Sequence, residues 1–173
     1  MKSILRNVTL ALAVGALALT AASKPEGNLA DKVRHQLVML PYYNIFDNLA
    51  YRVDGNTVTL YGEVTRPVLK SDAERAVKHI EGVGQVVNSI KVLPLSPFDD
   101  QIRRATYRAI FSYGGLYRYA MGANPSIHII VDNGHVTLQG VVSNQMDKNM
   151  AGIRANGVSG VFSVTNDLRV DRS

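Results

Sequence analysis

The chain has 173 residues and no cysteine, so disulfides and thiolate chemistry are excluded. Its formal charge of +5 falls to +3 once Lys2 and Arg6 are set aside with the N-terminal leader described below. Nine basic groups face eight acidic ones in residues 24–94, and eight face six in residues 95–173. That balance excludes a basic footprint able to track a nucleic-acid backbone and by itself names no partner.

Lys2 and Arg6 precede an apolar run from Val8 to Ala22 that ends in small residues, Thr20-Ala21-Ala22-Ser23. The run is short for a hydrocarbon core about 30 Å thick, so residues 1–22 read as a signal peptide cleaved near Ala22. A periplasmic or secreted location follows as an expectation. With no cysteine at the cleavage site, acylation of a new N-terminal cysteine is excluded.

From Asp31 to Leu40 the spacing of Val33, Leu37 and Leu40 predicts a helix, stopped by Pro41. Tyr51–Val53 and Val58–Leu60 then alternate at period two around Gly55-Asn56, a two-residue hairpin loop that pairs Val53 with Val58 on the core face. Gly62 reads as a bulge or an exit turn after the second strand. Ser71-Asp72-Ala73-Glu74 has the form of a capping box, opening a helix that buries Ala73, Ala76, Val77 and Ile80. A strand from Val86 to Val92 closes the unit. Residues 94–97, with Pro94 and Pro97, form a stiff linker.

The pattern then recurs at a constant offset of 78: over residues 53–92 and 131–170, fourteen of 40 aligned pairs are identical. Chance would give roughly two or three, so the chain carries a duplication. In the second copy Asn133-Gly134 suits a type I′ turn pairing Val131 with Val136. Gly140 repeats Gly62, and a strand runs from Val164 to Val170. The helix expected over 148–158 is weakened by Gly152 and Gly157. The fold class is therefore α+β: two tandem αββαβ modules, 27–93 and 98–171, each a three-stranded sheet with both helices on one face. Modules of this size are marginal alone, which favours contact between them.

The first helix of the second copy is unusual. At 100° per residue, Ile102, Ala105, Thr106, Ala109 and Tyr113 form the side assigned to the core. Arg104, Tyr107, Arg108 and Phe111 fall on the other side, where rings interleaved with guanidinium groups suit an anionic phospholipid surface. Tyr117, Arg118 and Tyr119 just downstream extend the candidate patch. The first copy has His35, Val38 and Met39 there and no arginine. The opposing expectation is that Tyr107 and Phe111 pack on the other module or the downstream loop.

The residues Val58-Thr59-Leu60 with Gly62, then Gly82-Val83, Val86 and Asn88, resemble the BON (bacterial OsmY and nodulation) domain. So do their counterparts from Val136 to Gly140 and from Gly160 to Asn166. Tandem copies behind a leader are similar to the OsmY-type osmotic-stress proteins of that family. The resemblance implies a periplasmic or envelope location and a non-enzymatic binding role, at a phospholipid membrane surface or on envelope proteins. A soluble, chaperone-like role toward unfolded or outer-membrane proteins is the alternative. Gly62, Gly82, Asn88, Gly140, Gly160 and Asn166 carry the motif as structural residues. The copies differ in one place: 20 residues separate Val33 from Val53, but 29 separate Ile102 from Val131. The nine extra residues lie within Ser112–Ser126.

Catalytic signals are lacking. His35, His79, His128 and His135 show no metal-ligand spacing, and neither a nucleophile elbow nor a phosphate loop is present. Asp132 and His135 face each other across the expected hairpin as a turn pair, and Asp99-Asp100 suit the positive end of a helix. No cofactor, metal or nucleic-acid partner is expected, and a hydrolase with an unrecognised site is the remaining enzymatic reading.

Overall fold

The computed structural model describes residues 28–122 and 124–171; the expected signal peptide lies outside them. Module 1 runs α1 (Leu29–Val38), β1 (Asn48–Asp54), β2 (Thr57–Val64), α2 (Pro67–Lys78), β3 (Gln85–Asn88) and β4 (Lys91–Val92). Module 2 repeats this with α3 (Pro97–Phe111), β5 (Ile127–Asp132), β6 (His135–Val142), α4 (Gln145–Asn156), β7 (Ser163–Asn166) and β8 (Arg169–Val170). One turn of 3-10 helix, Tyr117–Ala120, lies in the longer connection of module 2.

In each module the second strand is central. β2 runs antiparallel to β1 and parallel to β3 and then β4; β6 does the same with β5, β7 and β8. The third strand of each sheet is thus broken into two short pieces. The cause is a side chain: Asn88 turns its carbonyl oxygen to the N–H of Ile90 and donates from Nδ2 to the Lys70 carbonyl at 2.9 Å. Asn166 makes the same clasp to Leu168 and Lys148. Both helices of a module cover one sheet face. Val33 and Leu37 of α1 and Leu69, Ala73 and Val77 of α2 share one core with Val58, Leu60, Val64 and Ile90.

The hairpins have the expected register, Val53 opposite Val58 and Val131 opposite Val136. Gly62 and Gly140, however, lie inside paired strands, opposite Leu49 and Ile127, and not at a bulge or exit. Their φ values are +109° and +125°, and a Cβ would stand 2.2 Å from the Asn48 carbonyl oxygen and 2.0 Å from that of Ser126. Only glycine lets the neighbouring strand approach so closely.

The expected capping box is corrected. α2 begins a turn earlier, at Pro67, after Arg66, which makes no side-chain cap, and the Ser71 hydroxyl donates to the Val68 carbonyl within the helix. Proline at the first helical position pre-sets φ and gives up an N–H that would have no partner there. α4 likewise starts ahead of expectation, because Asn144 accepts the N–H of Asp147.

The modules contact each other through the segment joining α1 to β1. Ile45 belongs to the core of module 2, and its carbonyl accepts the N–H of Ile129 at 2.8 Å. Tyr43 stacks on His128 with ring centroids 5.5 Å apart. Lys91 of module 1 and Asp132 of module 2 form an ion pair at 2.5 Å. Asp132 therefore has a partner other than His135, which instead meets the Ser163 hydroxyl. The crossing segment is held by Asp47, which is wholly buried and accepts from the Asn44 N–H and from both N–H and hydroxyl of Thr65.

Candidate functional site: the outer face of α3

α3 is fixed at its start by polar contacts. Ser96 caps it by accepting the N–H of Asp99. The buried Asp99 carboxylate in turn accepts the N–H groups of Asn133 and Gly134, at 3.0 and 2.8 Å, tying the helix to the β5–β6 turn. One turn on, Arg103 is buried, donating to the Val131 carbonyl at 2.7 Å and pairing with Asp100 at 2.6 Å. Buried arginine is tolerated because two of its N–H directions meet acceptors.

These contacts set the rotation of the helix. Its buried arc is Asp99, Ile102, Arg103, Thr106, Ile110 and Phe111. Two expectations are corrected by it. Tyr113, assigned to the core, is exposed and lies under the Arg154 guanidinium, 4.8 Å from its ring. Phe111, assigned to the outer face, is only 4 % exposed and belongs to the core of module 2, with its ring 5.0 Å from that of Tyr107. A wheel drawn on the isolated helix could not register that the core Phe111 joins also takes in Ile45 from module 1 and Leu116 from the long connection.

Arg104, Tyr107 and Arg108 do come together. With Ile45 and Phe46 they line a shallow, almost wholly apolar depression of about 380 Å³ at the module boundary. Tyr107 is 37 % exposed and stands edge-on to Phe46, with centroids 6.4 Å apart. Of the packing expected on the other module or the loop, Tyr107 shows an edge contact with Phe46 of module 1 while half open, and Phe111 is buried. Among the described residues neither Arg104 nor Arg108 has an ionic partner.

The downstream residues divide. Tyr117 is exposed but does not line the depression. Tyr119 is 6 % exposed, so it cannot serve an outer patch. Arg118 pairs with Asp147 and lies over the Tyr119 ring at 4.9 Å. Both residues therefore pin the long connection to the start of α4. Burial raises the Asp147 carboxyl, but hydrogen bonds from Tyr119, Arg118 and Asn144 outweigh it and leave the group below its ordinary value. The sequence reading missed Ile45, Phe46, Asp47 and Arg103. The α1–β1 segment shows no helical or strand period, which is the signal on which such a reading depends.

The motif residues are placed as follows. Gly82 and Gly160 take positive φ in the turns between α2 and β3 and between α4 and β7. Asn88 and Asn166 form the strand-to-helix clasps. His128 is largely buried, and that burial outweighs the carbonyls of Asp47, Asn44 and Pro125 around it, lowering its pKa. Among the described residues no group of three histidine, aspartate or glutamate side chains is placed to hold a metal ion, and no helix is long and apolar enough to cross a membrane.

A duplicated αββαβ unit with an exposed aromatic–arginine face at the module boundary defines a tandem α+β protein. The BON domain model matches twice, over residues 25–94 and 99–172, and the chain belongs to that family. The match indicates no catalytic family. Among solved structures, the chain is similar to the C-terminal domain of CdsD, the structural protein of the type III secretion system of Chlamydia trachomatis. That likeness has 12% identity and a TM-score of 0.33, covering 84% of this chain and 98% of that one. A second structure of CdsD gives 12% identity and a TM-score of 0.32, with 83% and 93% covered. No curated protein matches the sequence.

Proposed function

We propose that this is a non-enzymatic protein of the bacterial cell envelope, exported after cleavage near Ala22, that docks on anionic phospholipid surfaces through the outer face of α3. The observation that carries the reading is the depression lined by Ile45, Phe46 and Tyr107 together with Arg104 and Arg108, two guanidinium groups with no ionic partner among the described residues. Each part suits an interfacial mode of binding. A half-exposed tyrosine places its ring at headgroup depth, and the apolar floor covers acyl-chain surface. Each arginine adds on the order of 1 kcal/mol near an anionic leaflet. Two arginines and one ring give reversible docking rather than permanent anchoring.

The test is Arg104→Glu combined with Arg108→Glu, checked for native circular dichroism and then for co-sedimentation with phosphatidylglycerol-containing vesicles. Wild-type protein should pellet with these vesicles, be released by raised salt, and ignore purely zwitterionic vesicles. The double variant should bind at least tenfold more weakly; undiminished binding overturns the reading.

A further inference from the structure

We propose that the membrane-contact surface continues from α3 across the module joint onto module 1, where Tyr42, Arg66 and the linker residue Leu95 meet the same anionic leaflet. This rests on the lipid reading of α3 and extends it to a second module.

Phe46 is the bridge. It lines the apolar depression on α3 and also a second pocket of about 290 Å³, whose walls include Arg66, Pro94 and Leu95. Arg66 lies over the ring of Tyr42, 5.0 Å from its centroid, and has no ionic partner among the described residues. The acidic side chain in that pocket, Asp100, is already paired with Arg103 at 2.6 Å. Tyr42 is 63 % exposed and Leu95 is 96 % exposed. A single exposed leucine means little. Here it shares a pocket with the guanidinium that covers an exposed ring. The same kinds of group, apolar, aromatic and arginine, meet on α3 as Ile45, Tyr107 and Arg104.

Two local preferences are overridden to put these groups there. Tyr42 has a φ of +69°, a conformation that tyrosine rarely adopts. Among the described residues only one other non-glycine shares that region, Asn133 in a hairpin turn. Arg66 stands at the N-cap of α2 and makes no cap bond. Its counterpart under the offset of 78 is Asn144, which caps α4 by accepting the Asp147 N–H. Stability alone favours glycine at the first position and asparagine at the second. Concessions of this kind persist where binding needs the side chain. An anionic leaflet suits the result, with guanidinium groups for phosphate and a ring and a leucine for the acyl boundary. Contact through both modules also fixes how the chain is oriented on the membrane, which one helix face does not.

The chain has no cysteine, so Leu95→Cys carries a single environment-sensitive NBD dye on the full protein. On phosphatidylglycerol-containing vesicles its emission should shift to the blue and brighten roughly twofold as the dye leaves water. Arg66→Asn, which restores the cap seen in module 2, should hold or raise the melting temperature yet bind these vesicles roughly fivefold more weakly. Tyr42→Gly, which relieves the positive φ, should likewise keep its stability and lose affinity. An unmoved dye on protein that has pelleted with vesicles overturns the proposal, whatever the two variants do to the fold. So does undiminished binding by both variants, or a lowered melting temperature in both, which would make the two residues structural. In each of these cases, weakened binding by the Arg104→Glu, Arg108→Glu variant leaves the α3 reading standing. Wild-type chain that stays out of the pellet overturns both.

Discussion

The Tyr119 hydroxyl donates to the Asp147 carboxylate at 2.5 Å while accepting the backbone N–H of Ser143 at 2.9 Å. Under the repeat offset Ser143 corresponds to Thr65, whose N–H is accepted by Asp47 at 2.6 Å. A phenol from the longer connection thus does in module 2 what a buried carboxylate does in module 1. Asp147 itself stands where module 1 has the wholly buried Leu69. The added residues and the polar group at the head of α4 belong together: each satisfies the other.

Tyr119→Phe therefore removes one donor and one acceptor from a buried cluster, at a cost of about 1–3 kcal/mol. Thermal denaturation should show this as a lower melting temperature with little change in secondary structure. Because the Asp147 pKa is depressed in the fold, its contribution is present above the unfolded value of 3.8 and is lost as pH falls through the lower folded value. Asp147→Asn should flatten the acid limb of the stability curve below about pH 4.

Gly62→Ala and Gly140→Ala each put a methyl group against a backbone carbonyl that has no room to withdraw. With positive φ added to that contact, the expected loss is at least about 2 kcal/mol in each case. Urea unfolding checks it, and a variant within 0.5 kcal/mol of wild type, roughly the size of an ordinary surface change, would contradict the steric account.

His128 titrates in the opposite sense to a histidine that gains a charged partner. Its pKa is lowered by burial, so the fold favours the neutral ring and stability declines as pH drops below the ordinary value of 6.5. The decline ends once the pH passes the folded value. His128→Gln should remove the pH dependence that sets in below about 6.5, and lose some stability at neutral pH through the missing stack on Tyr43. Melting temperatures measured across that range decide the matter.

Ile45→Ala should cost about 2–4 kcal/mol, as a cavity in a closed core does. The loss should appear first in module 2, although the residue lies in module 1. Exchange rates of β5 and β6 amides should rise more than those of β1 and β2.

The duplication and the hairpin registers were legible because period-two alternation around Gly55-Asn56 and Asn133-Gly134 leaves one pairing that sets valine against valine; the break in each third strand, made by Asn88 and Asn166, was not. The start of α2 was misread because Ser71 and Glu74 have capping-box spacing, whereas Pro67 carries the better helix-start signal. At α3 the Arg104–Tyr107–Arg108 grouping was visible from helical spacing alone. The burial of Phe111 was not, since the core it joins includes Ile45, 66 positions earlier. Asp47 and Arg103 were illegible for a related reason: each buried charge also depends on a partner distant in sequence, Thr65 for Asp47 and the Val131 carbonyl for Arg103.

Because Ile45 and Phe46 help to close the core of module 2, the boundary between repeats and the boundary between folding units do not coincide. A fragment cut at the linker would leave the second unit with an open wall and a bare Ile129 N–H, and the first with an apolar flap lying in water. During synthesis the first repeat emerges before the second, so the flap is ready when β5 arrives. The second repeat then folds against a template its own half of the sequence does not encode.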